Sequence, residues 1–559
     1  MAQLQFQQWN SWKGGIDDSG QKPGAEYFSI GMDPYRDPSY QAVADTLAKS
    51  VDDNDIGTFS EPIYAFQEIS GDLFALDSGG DIWKRDAGTG WVNDGTWPHA
   101  DGNAGQGQDI FEFNSELFWA ADTTVGRIQT PTGAPTFTDS WQTGLTSSSW
   151  HPMEKFLGKM FVGHGRNIAS WDTVSWNATN LILPAGFVSK SMAVIGDFLA
   201  IGTVAPAGED SRIFLWDGTS ATYNAEVAVK ATAVDAMFTW SNTLWAIAGK
   251  SANLHYYDGS ALNEVGKIAD VDVQSGQSVV VRPRGITVYR NRIVIAVNTL
   301  SEIGDRIMPG IWGFDPSFAQ FKFDHTLSTG VMNASGHAYS VFSDGTDIWI
   351  GGQDDNTGAT SQYFVDKSGG SKYTETAYWI SPFFKPGSFA DKHWRKFFVN
   401  LKEFPSSGSD NEITVKYRSE DRTRRLNNGA EFTATAGAAS TIDVASTTGL
   451  QVGDEITLTG GPSAGDLRRI ITLTATKITV DRAFTATPVN AQTKFVAERW
   501  VEAGTVTSAD GDEFLKSWSI ADAVGKSIQF KVEMRDAETT GEEVNVSEMA
   551  LSFIQKRPV

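Results

Sequence analysis

Between residues 71 and 366 the chain repeats one small unit: a polar turn, a hydrophobic strand, a Gly or polar break, and a second aromatic strand that ends near Asp. Seven copies can be drawn. They are Gly71–Leu76 with Asp81–Asp86, Asn114–Ala120 with Gly126–Ile128, Leu157–Gly163 with Ile168–Asp172, and Gly196–Gly202 with Arg212–Gly218. Ser241–Gly249 with Leu254–Gly259, Asn291–Ala296 with Gly310–Asp315, and Gly345–Gly352 with Gln362–Asp366 complete the set.

Copies recur every 40 to 55 residues or so, the period of a four-stranded blade. One such sheet cannot cover both of its faces, so neighbours must stack and the array closes into a ring. The sequence therefore predicts a β-propeller over residues 55–370, with seven blades. Glycines suit its crowded centre and tight turns, and the terminal Trp or Tyr residues fill the space between blades. Paired β-sandwiches are the other architecture that fits short strands at regular spacing.

Both flanks differ from the repeats. Residues 1–54 form a polar N-terminal arm with Gly14, Gly15, Pro23, Pro34 and Pro38. Within it Tyr40, Val43, Leu47 and Val51 have the spacing of an amphipathic helix, with a plain extended arm as the alternative. After residue 370, segments such as His393–Leu401, Glu412–Arg418 and Lys526–Met534 alternate apolar and polar residues, as half-buried antiparallel strands do. A β-sandwich over 371–430 and 491–559 is the expectation, giving an all-β chain. Residues 431–490, poor in aromatics and rich in Thr and Ala, read as a small β-domain inserted into it.

Composition removes several kinds of chemistry. The 559 residues contain no cysteine, which excludes disulfides, thiolate nucleophiles, iron–sulfur clusters and Cys-type zinc sites. The net charge of −23 argues against coating DNA phosphates or anionic lipid through the overall field. The N-terminus lacks a basic region followed by an apolar core, and no window approaches a membrane span, so synthesis in a cytoplasm without a secretion signal is expected. Seven histidines share no metal-pair spacing, and neither a GxSxG elbow nor a phosphate-binding glycine loop occurs. No catalytic, cofactor or metal residues are assigned, and no enzyme activity is expected.

Weaker features remain. Asp86-Ala-Gly-Thr-Gly-Trp91 is similar to the Asp-box turn of sialidase-type propellers, a structural turn there. Acidic runs at Asp52, Asp53 and Asp55, at Asp270 and Asp272, and at Asp354 and Asp355 could offer oxygens to calcium but are read as solvated turns. Basic clusters occur at Arg282, Arg284, Arg290 and Arg292, and at Lys416, Arg418, Arg422, Arg424 and Arg425. Charge pairing within this acidic chain is the reading preferred for them over contact with nucleic acid or a neighbouring subunit. Trp83, Trp119, Trp245 and Trp349 could stack on sugars if exposed, with burial between blades the preferred reading.

The order of parts resembles that of virion proteins from tailed bacteriophages. Gln7-Gln-Trp-Asn-Ser-Trp-Lys-Gly-Gly-Ile-Asp17, His393-Trp-Arg-Lys-Phe397, Ile528–Met534 and the closing Ala550–Pro558 carry the likeness. It implies a structural part of a tail nozzle, tail tip or fibre, located in the virion and assembled in the host cytoplasm. Implied partners are further copies of this chain, other tail or adaptor proteins, and a host-surface glycan or receptor. Large symmetric interfaces would supply the stability that disulfides do not. The acidic balance would let DNA pass through a lumen without sticking. A carbohydrate-binding or sialidase-like propeller is the alternative, and a bacterial scaffold for protein partners a third reading.

Overall fold

The structure, a computed structural model, describes residues 4–9, 28–30, 32–33, 41–43, 45–49, 59–86, 90–92, 94–101, 107–268, 279–299, 309–316, 320–325, 327, 336–354, 362–372, 377–385, 392–403, 411–419, 431–463, 466–507, 515–520, 524–525, 527–536 and 544–555. These contain strands and no helix, in a β-propeller-like arrangement of many small antiparallel sheets. The first sheet runs from Ile63–Ile69 through Asp72–Asp77 and Ile82–Asp86 to Gly90–Trp91, each strand pairing with the next. Four more sheets repeat that order over 107–143, 153–182, 188–229 and 234–267. In the sixth, Val279–Val280 and Ile286–Tyr289 share one edge of Arg292–Thr299, followed by Gly310–Asp315 and Gln320–His325.

The seventh sheet takes its fourth strand from far upstream. Gly336–Ser343, Ile348–Asp354 and Gln362–Lys372 are completed by Asp45–Lys49, with Leu47 opposite Ser368 and Lys49 opposite Asp366. The first strand of every sheet lies against the first strand of the next, and Gly336–Ser343 lies against Ile63–Ile69, so the series returns to its start. In each sheet the repeat identified in the sequence supplies the two middle strands.

Two small residue types let these first strands approach. A Cβ on Gly163, Gly202 or Gly351 would lie 2.5 Å from an atom of another strand, the Ser189 hydroxyl, the Ser191 hydroxyl or the Ile63 carbonyl oxygen. Only a residue without a side chain fits there. Buried Ser191 then donates to the Val234 carbonyl at 3.2 Å, and Ser340 donates to the Ile63 carbonyl at 2.8 Å. The second bond joins the last sheet to the first. Between sheets the fill is aromatic and aliphatic, for example Trp119 against Phe74-side residues and Trp216 at right angles to Phe161.

Two larger sheets follow. One has the order Met32–Asp33, Gln41–Val43, Asn545–Gln555, Lys392–Glu403, Leu515–Ser519, with Leu4–Trp9 also on Asn545–Gln555. The other has the order Phe28–Ile30, Ala377–Ile380, Ile528–Arg535, Glu412–Ser419, Val501–Thr507. Phe397 of the first stacks on Phe530 of the second with centroids 4.3 Å apart. One continuous apolar cluster unites these sheets with the fifth and sixth sheets of the ring, from Trp245 and Trp312 to Trp379 and Trp394.

Strands from Phe432–Ala438 to Lys494–Glu498 form a closed barrel around Ile442, Ile456, Ile470 and Phe495. Its last strand extends past the boundary expected at 490, because Phe495 and Ala497 point into the barrel core. The helical spacing read at Val43 and Leu47 is corrected: both lie on strands, Gln41–Val43 and Asp45–Lys49, while Tyr40 and Val51 fall outside the described residues. Four strands of the segment 1–54 pair with strands elsewhere in the chain, and Met32–Asp33 pairs with Gln41–Val43 within it.

Candidate functional site

The polar residues singled out in the sequence mostly serve the fold. Trp83, Trp119, Trp245 and Trp349 are all buried, with Trp83 donating to Asp77 and Trp349 to Asp344, each at 3.1 Å. None offers a face for a sugar. Asp86 ends the third strand of the first sheet and Trp91 ends the fourth, with Asp86 opposite Gly90. The repeated terminal Asp has a clear task at the same place in later sheets. Asp217 accepts from the Thr219 and Ser220 amides at 2.8 and 2.7 Å, and Asp258 accepts from Ser260 and Ala261, both at 2.8 Å. The Ser220 hydroxyl and amide hold Asp217 well below the usual carboxylate range, and the Ala261 and Ser260 amides do the same for Asp258.

Histidines are dispersed. His99 stacks on Phe137 at 3.8 Å and pairs with Asp139 at 2.7 Å, while His164 accepts from the Thr146 amide and donates to the Ala178 carbonyl. Among the described residues no group of three His, Asp or Glu could hold a metal ion. Asp52, Asp53, Asp55, Asp270, Asp272 and Asp355 lie outside the described residues, as do Arg422, Arg424 and Arg425.

Of the basic pair Arg282 and Arg284, Arg284 is charge-paired as expected and Arg282 is not. Both lie between Val279–Val280 and Ile286–Tyr289 of the sixth sheet. Arg284 donates from Nε and Nη2 to Asp109 of the second sheet, at 2.8 and 3.1 Å, and from Nη2 to the Met153 carbonyl at 3.2 Å. The second and sixth sheets are not neighbours, so this ion pair crosses the opening that the first strands enclose. Arg284 keeps 33% of its side chain accessible while Asp109 keeps 1%. Burial pushes Asp109 up, and the Arg284 charge with the Met153 and Ile110 amides pulls against that. Burial also raises Glu154 beside them, with Arg284 opposing.

Arg282 sits at the same opening without such a partner. Its guanidinium lies 3.9 Å over the Tyr64 ring and 5.0 Å from the Tyr339 centroid, and Tyr64 lies 5.6 Å from Tyr339 and 6.3 Å from Trp150. The first sheet, the seventh, the connection into the third, and the segment between Val279–Val280 and Ile286–Tyr289 all contribute. Arg282 Nε and Trp150 Nε1 are buried without any hydrogen-bond partner. Sequence reasoning found the arginines but missed Tyr64, Trp150 and Tyr339, which stand far apart in the chain and meet only when the ring closes.

A second polar place is a cleft of about 310 Å³ between the barrel and the sheet that carries Glu412–Ser419. Lys416 and Lys531 are opposite each other on adjacent strands and face Glu455 of the barrel. Lys416 also lies 2.7 Å from Glu533, and Lys531 lies 2.8 Å from it. Burial and the nearby Glu533 push Glu455 up, while Lys416 and Lys531 hold Glu533 low against its own burial. Lys531 further lies 4.6 Å from the Tyr378 ring, and Arg418 lies 4.6 Å from that of Trp500. With every charge answered by another, this cluster joins the barrel to the sheet.

No family model matches the chain, and no curated protein does. Solved structures with a similar strand arrangement include the computationally designed Ika8 protein, at 12% identity and a TM-score of 0.33, covering 59% of this chain and 96% of that one. The extracellular domain assigned to a hybrid two-component system of B. thetaiotaomicron has 10% identity and a TM-score of 0.42, covering 72% of this chain and 46% of that one. Chaetomium thermophilum Raptor has 9% identity and a TM-score of 0.41, covering 58% and 30%. These likenesses carry no functional argument.

Proposed function

We propose that the chain is a structural, non-enzymatic part of a bacteriophage tail, acting as a homo-oligomer that contacts other tail or adaptor proteins. In this reading residues 45–372 are a seven-bladed propeller, a rigid platform, and the two larger sheets are a sandwich carrying the barrel as an inserted domain. The observation that carries it is the stitching of the two parts: Asp45–Lys49 completes the last sheet of the ring while Leu4–Trp9 extends the sheet that holds Asn545–Gln555. A body tied together at both ends transmits load without hinging, which suits a particle part exposed to shear.

Subunit contacts would form on the edge strands Val501–Thr507 and Leu515–Ser519, which lie side by side and leave Val501 51% and Leu515 63% exposed. Any passage for DNA would be the lumen of the assembly, because the Arg284–Asp109 pair crosses the opening of the single ring. The test is immunolabelling of purified virions in negative stain together with the mass of the purified chain. Label on the tail and a ring or trimer mass are expected; an unlabelled tail would refute the assignment. The carbohydrate-binding alternative loses its four tryptophans to the core.

A further inference from the structure

We propose that the third sheet of the ring is the docking surface for a second copy of this chain, which meets it with the edge strands Val501–Thr507 and Leu515–Ser519, so that copies join head to tail. This rests on the homo-oligomer of the reading above and adds the surface that receives the edge strands. Among the described residues eight large apolar side chains are exposed, and they fall in two places. Leu157, Val174 and Ile182 belong to the third sheet and are 62%, 85% and 52% exposed, while the other five lie on the barrel and the two edge strands. The other six sheets of the ring have none among their described residues.

Each of the three stands where a chain by itself gains little from it. Leu157 starts the two-residue turn between the first and second strands with φ at 49°, the left-handed region that favours Gly or Asn. In five other sheets the matching position is Ser70, Asn114, Gly196, Ser241 or Arg290. Val174 lies in the turn between the third and fourth strands, at the same end of the sheet, and Ile182 closes the fourth. That outer strand, Trp176–Ile182, contains no charged residue, whereas the outer strands of the second, fourth and fifth sheets carry Asp139, Glu226, and Glu264 with Lys267. Charge on an exposed edge keeps other chains away, and its absence leaves this edge open to one. A register shift between Ile168 and Ser170 bulges the strand, so the contact is made by side chains rather than by a continued ladder.

Charge and position say what covers it. Copies of a chain at −23 repel, but Lys155, Lys159 and Arg166 against Glu154 and Asp172 leave residues 153–182 at +1. Residues 107–143 of the second sheet, with Asp109, Glu112, Glu116, Asp122 and Asp139 against Arg127, stand at −4. The two edge strands bring one charge each, Glu502 and Lys516, and so approach the third sheet without net repulsion. The larger sheets pack on the fifth and sixth sheets, two and three places along the ring from the third, so the apolar places stand apart on one body. Third sheet against third sheet would leave the edge strands bare. A head-to-tail contact covers both places with one interface, and such contacts can close into rings.

Sedimentation velocity on the full chain tests this with two double variants, Val174→Glu with Ile182→Glu on the third sheet and Val501→Glu with Leu515→Glu on the edge strands. The wild type should sediment as an oligomer larger than a dimer. Either variant alone should be monomeric at an unchanged melting temperature, its association weaker by roughly a hundredfold or more. Mixed in equal amounts, the two should form a heterodimer, because each supplies the intact surface that the other lacks; a two-fold contact gives no such rescue. If a variant melts early, single cysteines decide, since the chain has none of its own. Val174→Cys copies mixed with Leu515→Cys copies should cross-link through a flexible bis-maleimide, and neither should do so alone. A monomeric or two-fold dimeric wild type, a folded variant that assembles like the wild type, a mixture without heterodimer, or no mixed cross-link would each overturn the proposal. Head-to-tail oligomers with an unlabelled virion tail would refute the tail assignment alone, and a labelled tail with a monomeric chain this inference alone, so the two fail separately.

Discussion

At the scale of single residues, the repeat is held by pairings of the smallest side chain with the largest. Trp119 and Gly126 are opposite on adjacent strands, and a Cβ on Gly126 would lie 2.0 Å from the Trp119 ring. Gly352 and Phe364 repeat the arrangement at 2.3 Å. Each aromatic ring therefore covers the bare backbone across from it, and the strand pair stays thin enough to stack. Asp77 shows how tightly the turns are enclosed: burial lifts its carboxyl to about 6 from 3.8, against bonds from Trp83 and the Asp81 and Gly79 amides. Between those two values the folded chain keeps a proton that the unfolded chain has released, so stability falls as pH rises from about 4 to about 6 and is level above. Relative to an Asp77→Asn variant, the wild type should lose up to roughly 3 kcal/mol over that interval in denaturant titrations. A difference between the two proteins that does not change with pH would contradict this.

At the scale of elements, the sequence disclosed half of each sheet. The two middle strands are buried on both faces, as in Leu244–Ala248 or Ile293–Val297, and such apolar runs bounded by Gly and Asn are readable without a structure. The fourth strands are not. Thr136–Thr143 and Ala225–Val229 are largely exposed, so their composition follows solvent rather than a sheet. The axial site was half legible for a related reason: two arginines three positions apart are visible in a sequence, whereas the ring that gathers Tyr64, Trp150 and Tyr339 is a property of closure. The barrel's attachment is another tertiary feature, because Lys416 and Lys531 gain their meaning only from Glu455 opposite. Lys531→Met should strand Glu455 and Glu533 beside a single ammonium group and lower stability by about 3 to 5 kcal/mol. Limited proteolysis should then release the 432–498 barrel earlier than in the wild type; equal resistance would mean that the cluster is not what joins it.

At the scale of the molecule, ring and sheets depend on the same upstream segment. Deleting residues 1–50 removes Asp45–Lys49 from the seventh sheet and Leu4–Trp9 from the sheet edge. The melting temperature should drop by several degrees, and Gln362–Lys372, left as an edge strand, should become the first site of proteolysis. Unchanged melting and cleavage elsewhere would show that the ring closes through the Ser340–Ile63 bond and its packing alone.

That closure also orders events in time. During synthesis Asp45–Lys49 emerges long before its partner Gln362–Lys372, and Leu4–Trp9 waits until Asn545–Gln555 has been made. Middle sheets can assemble from neighbouring residues as they appear, but the earliest strands must be held in reserve, unpaired, until the latest arrive. A product cut short before residue 362 would have no last sheet to receive the 45–49 strand, and one cut short before 545 would leave 4–9 without its edge. The fold thereby registers whether translation ran past residue 555, and chains cut shorter would carry the exposed strands that proteases and chaperones recognise.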